Sequence, residues 1–267
     1  MPTLIIMKQV QITSILLIFW IVSTCISCNT EKYGAPVKDP TYILSSFDEF
    51  WSYWNESVKL SRNFVAFDEV GLPTSKTIFM DKMSMGDYLP LRLTSTDSLD
   101  YYRLYKINKK VDEQITNAIR STMNQLYQHF QLVGKSLPGF NFTDLHGNVY
   151  DSGTCKGKTV VLNIWFTQCV PCVAEMPALN KLVKLYKERN DILFLSLAGD
   201  SEKVLTPFLN KTRIDYSIVP NLFHYFRETL HVPGYPMQVI INKNGIVSSV
   251  PENYTELAAE LKKETAN

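Results

Sequence analysis

Apolar positions along this chain alternate between continuous runs and helical periodicity. The clearest switch lies between Val160 and Pro177. Val160, Val161, Leu162, Ile164, Trp165 and Phe166 form a β-branched and aromatic run broken only by Asn163, which predicts a buried strand. From Ala174 onward, Leu179, Leu182, Val183, Leu185 and Tyr186 recur at helical spacing among Glu and Lys, which predicts a helix. The alternation continues downstream. Residues 192–197 (ILFLSL) read as a buried strand, Ser201 as the cap of a helix running to Leu209, residues 216–219 as a short strand and 222–230 as a short helix. Residues 237–241 and 246–250 read as a hairpin across Asn244-Gly245, a strong turn signal, and 253–263 as a closing helix. Strands alternating with helices and ending in a hairpin predict an α/β fold, a mixed sheet with helices on both faces.

Upstream the pattern differs. Ser45 or Ser46 is placed to cap a helix, with Glu49 three residues after Ser46. Phe47, Phe50, Trp51, Trp54 and Val58 follow at helical spacing, an aromatic stripe suited to a core. Residues 64–67, 77–80 and 101–107 read as short strands between turn signals at Gly71-Leu72-Pro73 and 95–98. Residues 111–130 repeat Ile115, Ala118, Ile119, Met123, Leu126, Tyr127 and Phe130, a long helix. Residues 41–131 are therefore expected to form a small α+β region, with no motif that carries chemistry.

The first residues read as an address. Lys8 precedes a largely apolar segment of residues 10–22, short for a membrane span of about twenty residues and suited to a signal peptide's apolar core. Ser23-Thr24-Cys25-Ile26-Ser27-Cys28 follows. Small and apolar residues before a cysteine resemble a bacterial lipoprotein signal, with Cys28 the better lipid acceptor and residues 1–28 the signal peptide. Ordinary secretion and an uncleaved anchor are the competing readings. All three place the rest of the chain outside the cytoplasm, where disulfides form. Residues 29–40, with Gly34 and two prolines among alternating charges, read as a tether.

Composition narrows the function classes little. The chain has 267 residues, 45% hydrophobic and 20% charged, enough for one or two globular domains. Lys+Arg against Asp+Glu is 27 to 26, so nothing points to nucleic acid. His129, His146, His224 and His231 are too scattered to suggest a metal cluster.

The cysteines change the picture. Cys169-Val170-Pro171-Cys172 lies where the predicted strand ends and the helix begins. A first helical turn has unpaired N–H groups and the positive end of the dipole, so it favours a thiolate, and Cys169 is expected to be the lower-pKa nucleophile. Cys172 lies about one turn on, within disulfide reach. Pro171 has no N–H to lose in the first turn. Zinc is the rival reading of a lone CxxC, but a four-cysteine site needs a second CxxC and the chain has none. Cys155, in DSGTCKGK, reads as an incidental loop thiol, with a resolving or regulatory thiol as the alternative.

At these residues the chain resembles the thioredoxin fold, and within it the TlpA/ResA-like extracytoplasmic thiol–disulfide oxidoreductases. The resemblance covers 132 to about 263. Gly134-Lys-Ser-Leu-Pro138-Gly-Phe140 with Asp144 and Gly147 resembles the family's entry hairpin, and Gly157-Lys158 its step before the strand. Trp165 to Pro177 matches WFxxCxPCxxExP, and Gly234-Tyr235-Pro236 the segment that holds a cis-proline beside the disulfide. Three positions depart from the pattern. Asn163 stands where thioredoxin has a buried Asp, Gln168 where it has Trp, and Met237 where the family commonly has Thr. The implied organisation is a thioredoxin-like domain at 132–267, preceded by the 41–131 region.

The resemblance implies dithiol–disulfide exchange through Cys169 and Cys172, with no bound cofactor and no metal. Glu175, matching the family's Glu, shares a helix face with Cys172 and is expected to move its proton, its pKa raised if it is partly buried. Pro236 is expected to present the Tyr235 backbone to a substrate strand. The implied partners are disulfide-bearing exported proteins, including apocytochrome c, and a membrane or periplasmic electron donor. Val170-Pro171 places no positive charge between the cysteines. This favours a reductant, nearer thioredoxin at roughly −270 mV than a strong oxidant at roughly −120 mV. A thiol peroxidase, a copper chaperone and a non-catalytic partner-binding lipoprotein are the alternatives. Thr167 stands two residues before Cys169, where the peroxiredoxin pattern wants three. His224 and His231 are poor copper ligands beside CxxC.

Overall fold

A computed structural model describes residues 32–107 and 111–266. The segment expected to be a signal peptide, with Cys25 and Cys28, lies outside the described residues. Two five-stranded sheets carry the architecture, one in each half of the chain.

The first half opens with β1 (Tyr33–Pro36), α1 (Pro40–Ile43) and α2 (Phe47–Ser57). β2 (Phe64–Phe67) and β3 (Pro73–Thr74) precede α3 (Lys76–Ser84), followed by β4 (Tyr88–Ser95), β5 (Asp100–Lys106) and the long α4 (Glu113–Leu132). The sheet order is β1-β4-β5-β2-β3, with β2 and β5 parallel and the other pairs antiparallel. Phe50 and Trp54 of α2, Phe79 and Met83 of α3, and Ile115, Ile119 and Met123 of α4 pack on Leu89, Leu91, Tyr102 and Leu104 of the sheet. The opposite face carries only a small cluster of Phe67, Leu93 and Tyr101 with Tyr33 and Val65. Helices on one face make this region α+β, as its pattern predicts. Two of its most deeply buried tyrosines have paired hydroxyls. Tyr53 donates to the Pro90 carbonyl at 2.8 Å, and Tyr102 to the Ser57 carbonyl at 2.8 Å.

Three local expectations need correction. Residues 77–80 are not a strand but belong to α3. Ser75 Oγ accepts the Ile78 N–H at 3.2 Å and caps the helix, and Phe79, Met80 and Met83 turn one helical face into the core. Residues 33–36, read as tether, form β1 on the edge of β4. β4 itself is missing from the sequence reading because Pro90 interrupts it. The proline is tolerated because β1 covers only the far end of β4, pairing with Leu93 and Ser95, so no neighbour there needs the missing N–H.

The second half begins with the hairpin β6 (Asn141–Thr143) and β7 (Val149–Asp151). Asp144 is buried in its turn and accepts hydrogen bonds from the His146 and Asn148 N–H groups, Asn148 Nδ2 and the Tyr150 hydroxyl. Gly147 closes that turn at φ 82°, where a side chain would be strained. Then come β8 (Thr159–Trp165), α5 (Val170–Leu185), β9 (Ile192–Ala198), α6 (Glu202–Leu209), β10 (Ser217–Val219), α7 (Phe223–Glu228), β11 (Met237–Ile241), β12 (Val247–Ser249) and α8 (Tyr254–Glu264). The sheet order is β10-β9-β8-β11-β12. β8, β9 and β10 run parallel, and β11 and β12 are antiparallel to their neighbours. β8 is the central strand and buried throughout, which is why it reads as a continuous apolar run. Both edges are covered. The Leu145 N–H donates to Ile218 of β10, and residues 134–135 exchange hydrogen bonds with Val247 of β12.

Candidate active site

β8 delivers the chain to the site at its carboxyl end. Trp165, fully buried, donates Nε1–H to Ser196 Oγ at 2.7 Å and anchors the strand end. The next turn is fixed by Asp200, whose Oδ2 accepts the Thr167 N–H at 2.6 Å. The Cys169 N–H donates to the Phe166 carbonyl at 3.1 Å. Cys169 is then the N-cap of α5, its Sγ accepting the Cys172 N–H at 3.3 Å. Pro171 occupies the first turn of α5, where its missing N–H costs nothing.

Cys169 and Cys172 form a disulfide with a Cα–Cα separation of 5.2 Å. Both are buried, Cys172 more deeply, while Val170 between them is 78% exposed. The thiolate-favouring features are thus assembled around Cys169, the cysteine at the helix end. Phe166 meets Tyr235 edge-on at 5.2 Å and Phe223 at 5.7 Å. Gly199 lets Phe223 lie against the backbone. A Cβ there would stand 2.6 Å from the ring. The Tyr235–Pro236 bond is cis, and Tyr235 packs on the cluster that holds Cys169 and Cys172. The loop of Pro236 and the disulfide therefore share one apolar rim.

Glu175 lies one turn beyond Cys172 on α5 and is half-buried. Its Oε2 accepts a 2.8 Å hydrogen bond from Nε2 of Gln238. Gln238 is 1% exposed and stands directly opposite Asn163 in the β8–β11 register. Asn163 is also buried, and its Oδ1 has no hydrogen-bond partner. A polar row thus runs from β8 through β11 to α5: Asn163 where thioredoxin has an acid, then Gln238, then the carboxylate of Glu175. Sequence reasoning missed Gln238, Asp200 and Ser196, each remote in sequence from the CxxC.

Cys155 is the free cysteine among the described residues. It is buried in the turn after β7, and burial pushes its thiol pKa up. No group of His, Cys, Asp and Glu among the described residues is arranged to hold a metal. No helix among them is long and apolar enough to cross a membrane.

A CxxC disulfide at the start of a helix that follows the central strand, beside a cis-proline loop, defines a thioredoxin-like thiol–disulfide oxidoreductase. Residues 132–260 match the Redoxin family model. The chain is 32% identical over 128 residues to the thiol-disulfide oxidoreductase ResA of Bacillus thuringiensis, spanning 46% of this chain and 74% of that protein. It is 30% identical over 118 residues to ResA of Geobacillus kaustophilus, spanning 44% and 68%. Among solved structures it is similar to the thioredoxin domain of a thiol-disulfide oxidoreductase from Bacteroides vulgatus, at 21% identity and a TM-score of 0.44. That match covers 49% of this chain and 96% of that one. The chain belongs to the ResA family of thiol–disulfide oxidoreductases. The matched segments lie in its second half.

Proposed function

We propose that the protein reduces disulfides of exported proteins by dithiol–disulfide exchange, with Cys169 as nucleophile and Cys172 as resolving thiol. The carrying observation is the placement of Cys169 as N-cap of α5, with Cys172 paired to it at 5.2 Å and the Pro236 loop on the same rim. The Cys169 thiolate attacks one sulfur of a substrate disulfide, forming a mixed disulfide and expelling the other sulfur as a thiolate, which takes up a proton. Cys172 then loses its proton and attacks Cys169 Sγ. The Cys169–Cys172 bond forms, the mixed disulfide breaks, and the substrate leaves with both thiols reduced. Two electrons have passed to the substrate, and a membrane or periplasmic dithiol donor restores the enzyme by the reverse exchange.

Glu175 takes the Cys172 proton in this scheme. Its position one turn on and its partial burial support that role. Pro236 leaves the Tyr235 backbone free to pair with an extended substrate segment. The absence of a charged side chain between the cysteines supports the reducing direction. A lipid on Cys28 would hold the protein at the outer side of the cytoplasmic membrane, with cleavage between Ser27 and Cys28 removing the signal. The domain boundary at 131/132 belongs to the same proposal.

Insulin-disulfide reduction with a thiol donor tests the activity, and Cys172→Ser tests the assignment. The variant should accumulate substrates as mixed disulfides on Cys169. An inactive wild-type protein, or trapping by Cys169→Ser in place of Cys172→Ser, would overturn the reading. Peroxide consumption without insulin reduction would make the protein a thiol peroxidase. Intact-mass measurement of membrane-extracted protein checks Cys28, which should be the new N-terminus and carry a lipid-sized increment.

A further inference from the structure

Residues of both halves of the chain meet in a crevice of about 220 Å³, far from the disulfide in sequence and lined by none of the residues assigned to exchange. Its walls are apolar on one side, with Phe64 and Phe130 the largest groups. Lys76 from the first half and Lys263 from the last helix both line it. Lys76 Nζ hydrogen-bonds the neutral Asn63 side chain and lies 5.0 Å from the centroid of the Phe64 ring. Among the described residues no carboxylate pairs with it. The carboxylate nearest Lys263 is that of Glu260, at 3.5 Å, also in the lining. Burial, and then the charge of Lys263, hold the Lys76 pKa below that of an ordinary lysine. Two ammonium groups thus face one space with a single carboxylate to balance them.

The crevice also holds polar groups without partners. His129, from α4, lines it and is only 6% exposed, yet neither Nδ1 nor Nε2 has a hydrogen-bond partner. Burial pushes its pKa down to about 4, so at neutral pH it offers one donor and one acceptor. Ser249 Oγ, in the same lining, is likewise buried and unpartnered. Buried polar groups are normally paired, and a group that is not paired within the protein suits a ligand that supplies the partner.

We propose that this crevice binds a small organic carboxylate with a short apolar body. The carboxylate lies between Lys76 and Lys263, and the apolar body lies against Phe64 and Phe130, beside His129 and Ser249. A volume below the roughly 300–1,000 Å³ of drug-sized sites sets the size of the ligand. The apolar walls disfavour an inorganic anion, which would lose hydration there without compensation. Because the ligand touches both halves, it binds their joined form and raises its stability by mass action.

The test uses the full chain with sodium benzoate, its neutral isostere benzamide, and sodium phosphate, read by titration calorimetry and by the thermal midpoint. Benzoate is expected to bind with a Kd under about 1 mM and to raise the midpoint. Benzamide and phosphate should each bind at least about tenfold more weakly, the loss expected when a charge-assisted contact or an apolar one is missing. Lys263→Ala, at a side chain 71% exposed, is expected to keep the wild-type fold and to weaken benzoate at least about tenfold while insulin reduction continues unchanged. Three results would each overturn the proposal. They are no benzoate binding at about 10 mM, benzamide or phosphate equal to benzoate, or Lys263→Ala titrating as the wild type.

Discussion

At the scale of single residues, Glu175 and Gln238 form the hydrogen-bonded pair on which the second step of the proposed exchange would rest. Gln238 is an uncharged donor that orients the Glu175 carboxylate. Glu175→Gln keeps the shape and removes the base. It should slow resolution of a preformed mixed disulfide by about 100-fold, at the low end of general-base effects, while the first attack by Cys169 changes less. Gln238→Leu removes only the donor. It should slow the same step by about tenfold, as loss of one charge-assisted hydrogen bond predicts. Stopped-flow measurement of the two steps separates them, and equal slowing of both steps would make Glu175 a mere helix residue. Glu175 was legible in the sequence because it lies three residues from Cys172. Gln238 was not, because it reaches Glu175 only through the β8–β11 register, 63 positions away. His129 supports a separate prediction. Its folded pKa of about 4 lies below the ordinary 6.5, so on acidification the unfolded chain takes up the proton first. Stability is full above pH 6.5 and is lost as pH falls towards about 4. The loss approaches about 3 kcal/mol, the free-energy equivalent of a pKa held at about 4 in place of 6.5. Urea unfolding across this range should show the slope in the wild type and its loss in His129→Phe.

At the scale of elements, α3 shows where local pattern and tertiary context part. Ile78-Phe79-Met80 looks like a strand in a short window. The helix is set by two features outside that window, the cap Ser75 and the core residue Met83. Ser75→Ala should therefore cost about 1 kcal/mol, measurable by urea unfolding, whereas a strand would be indifferent to the change. In the second half the elements were legible almost end to end. β8 and β9 announce themselves by burial on both faces, and Asn244-Gly245 fixes the β11–β12 turn. The first half was harder because its sheet mixes a two-residue strand, a strand containing Pro90, and a β1 whose exposed side chains leave no apolar signal. The helices α2 and α4 were read correctly because their buried faces recur over several turns.

At the scale of the whole molecule, the two halves are joined without a free linker. α4 ends at Leu132, and residues 134–135 at once pair with Val247 on the sheet edge of the second half. Gln125 of α4 also lies against Gly234, two residues before Pro236, so the first half touches the loop that flanks the disulfide. A second joint forms at Glu256, a carboxylate only 5% exposed at the start of α8. It accepts the Ser61 hydroxyl at 2.9 Å and the Glu252 N–H at 3.2 Å, and pairs with Arg62 Nε at 3.4 Å. Ser61 and Arg62 come from the first half, Glu252 and Glu256 from the second. Arg62 is half-exposed, so solvent screens its share, and the part-buried Ser61 contact is expected to carry more of the coupling. A double-mutant cycle of Ser61→Ala and Glu256→Gln isolates that term. Residues in one hydrogen-bonded network couple by about 0.5–3 kcal/mol, and a value in this range is expected from urea unfolding of the four proteins. The wild type should unfold in one transition, because loosening either half removes the partner of a buried carboxylate in the other. Two separate transitions in the wild type, or additive single-mutant losses, would mean that the halves fold independently and that the Glu256 joint transmits nothing to the Pro236 loop.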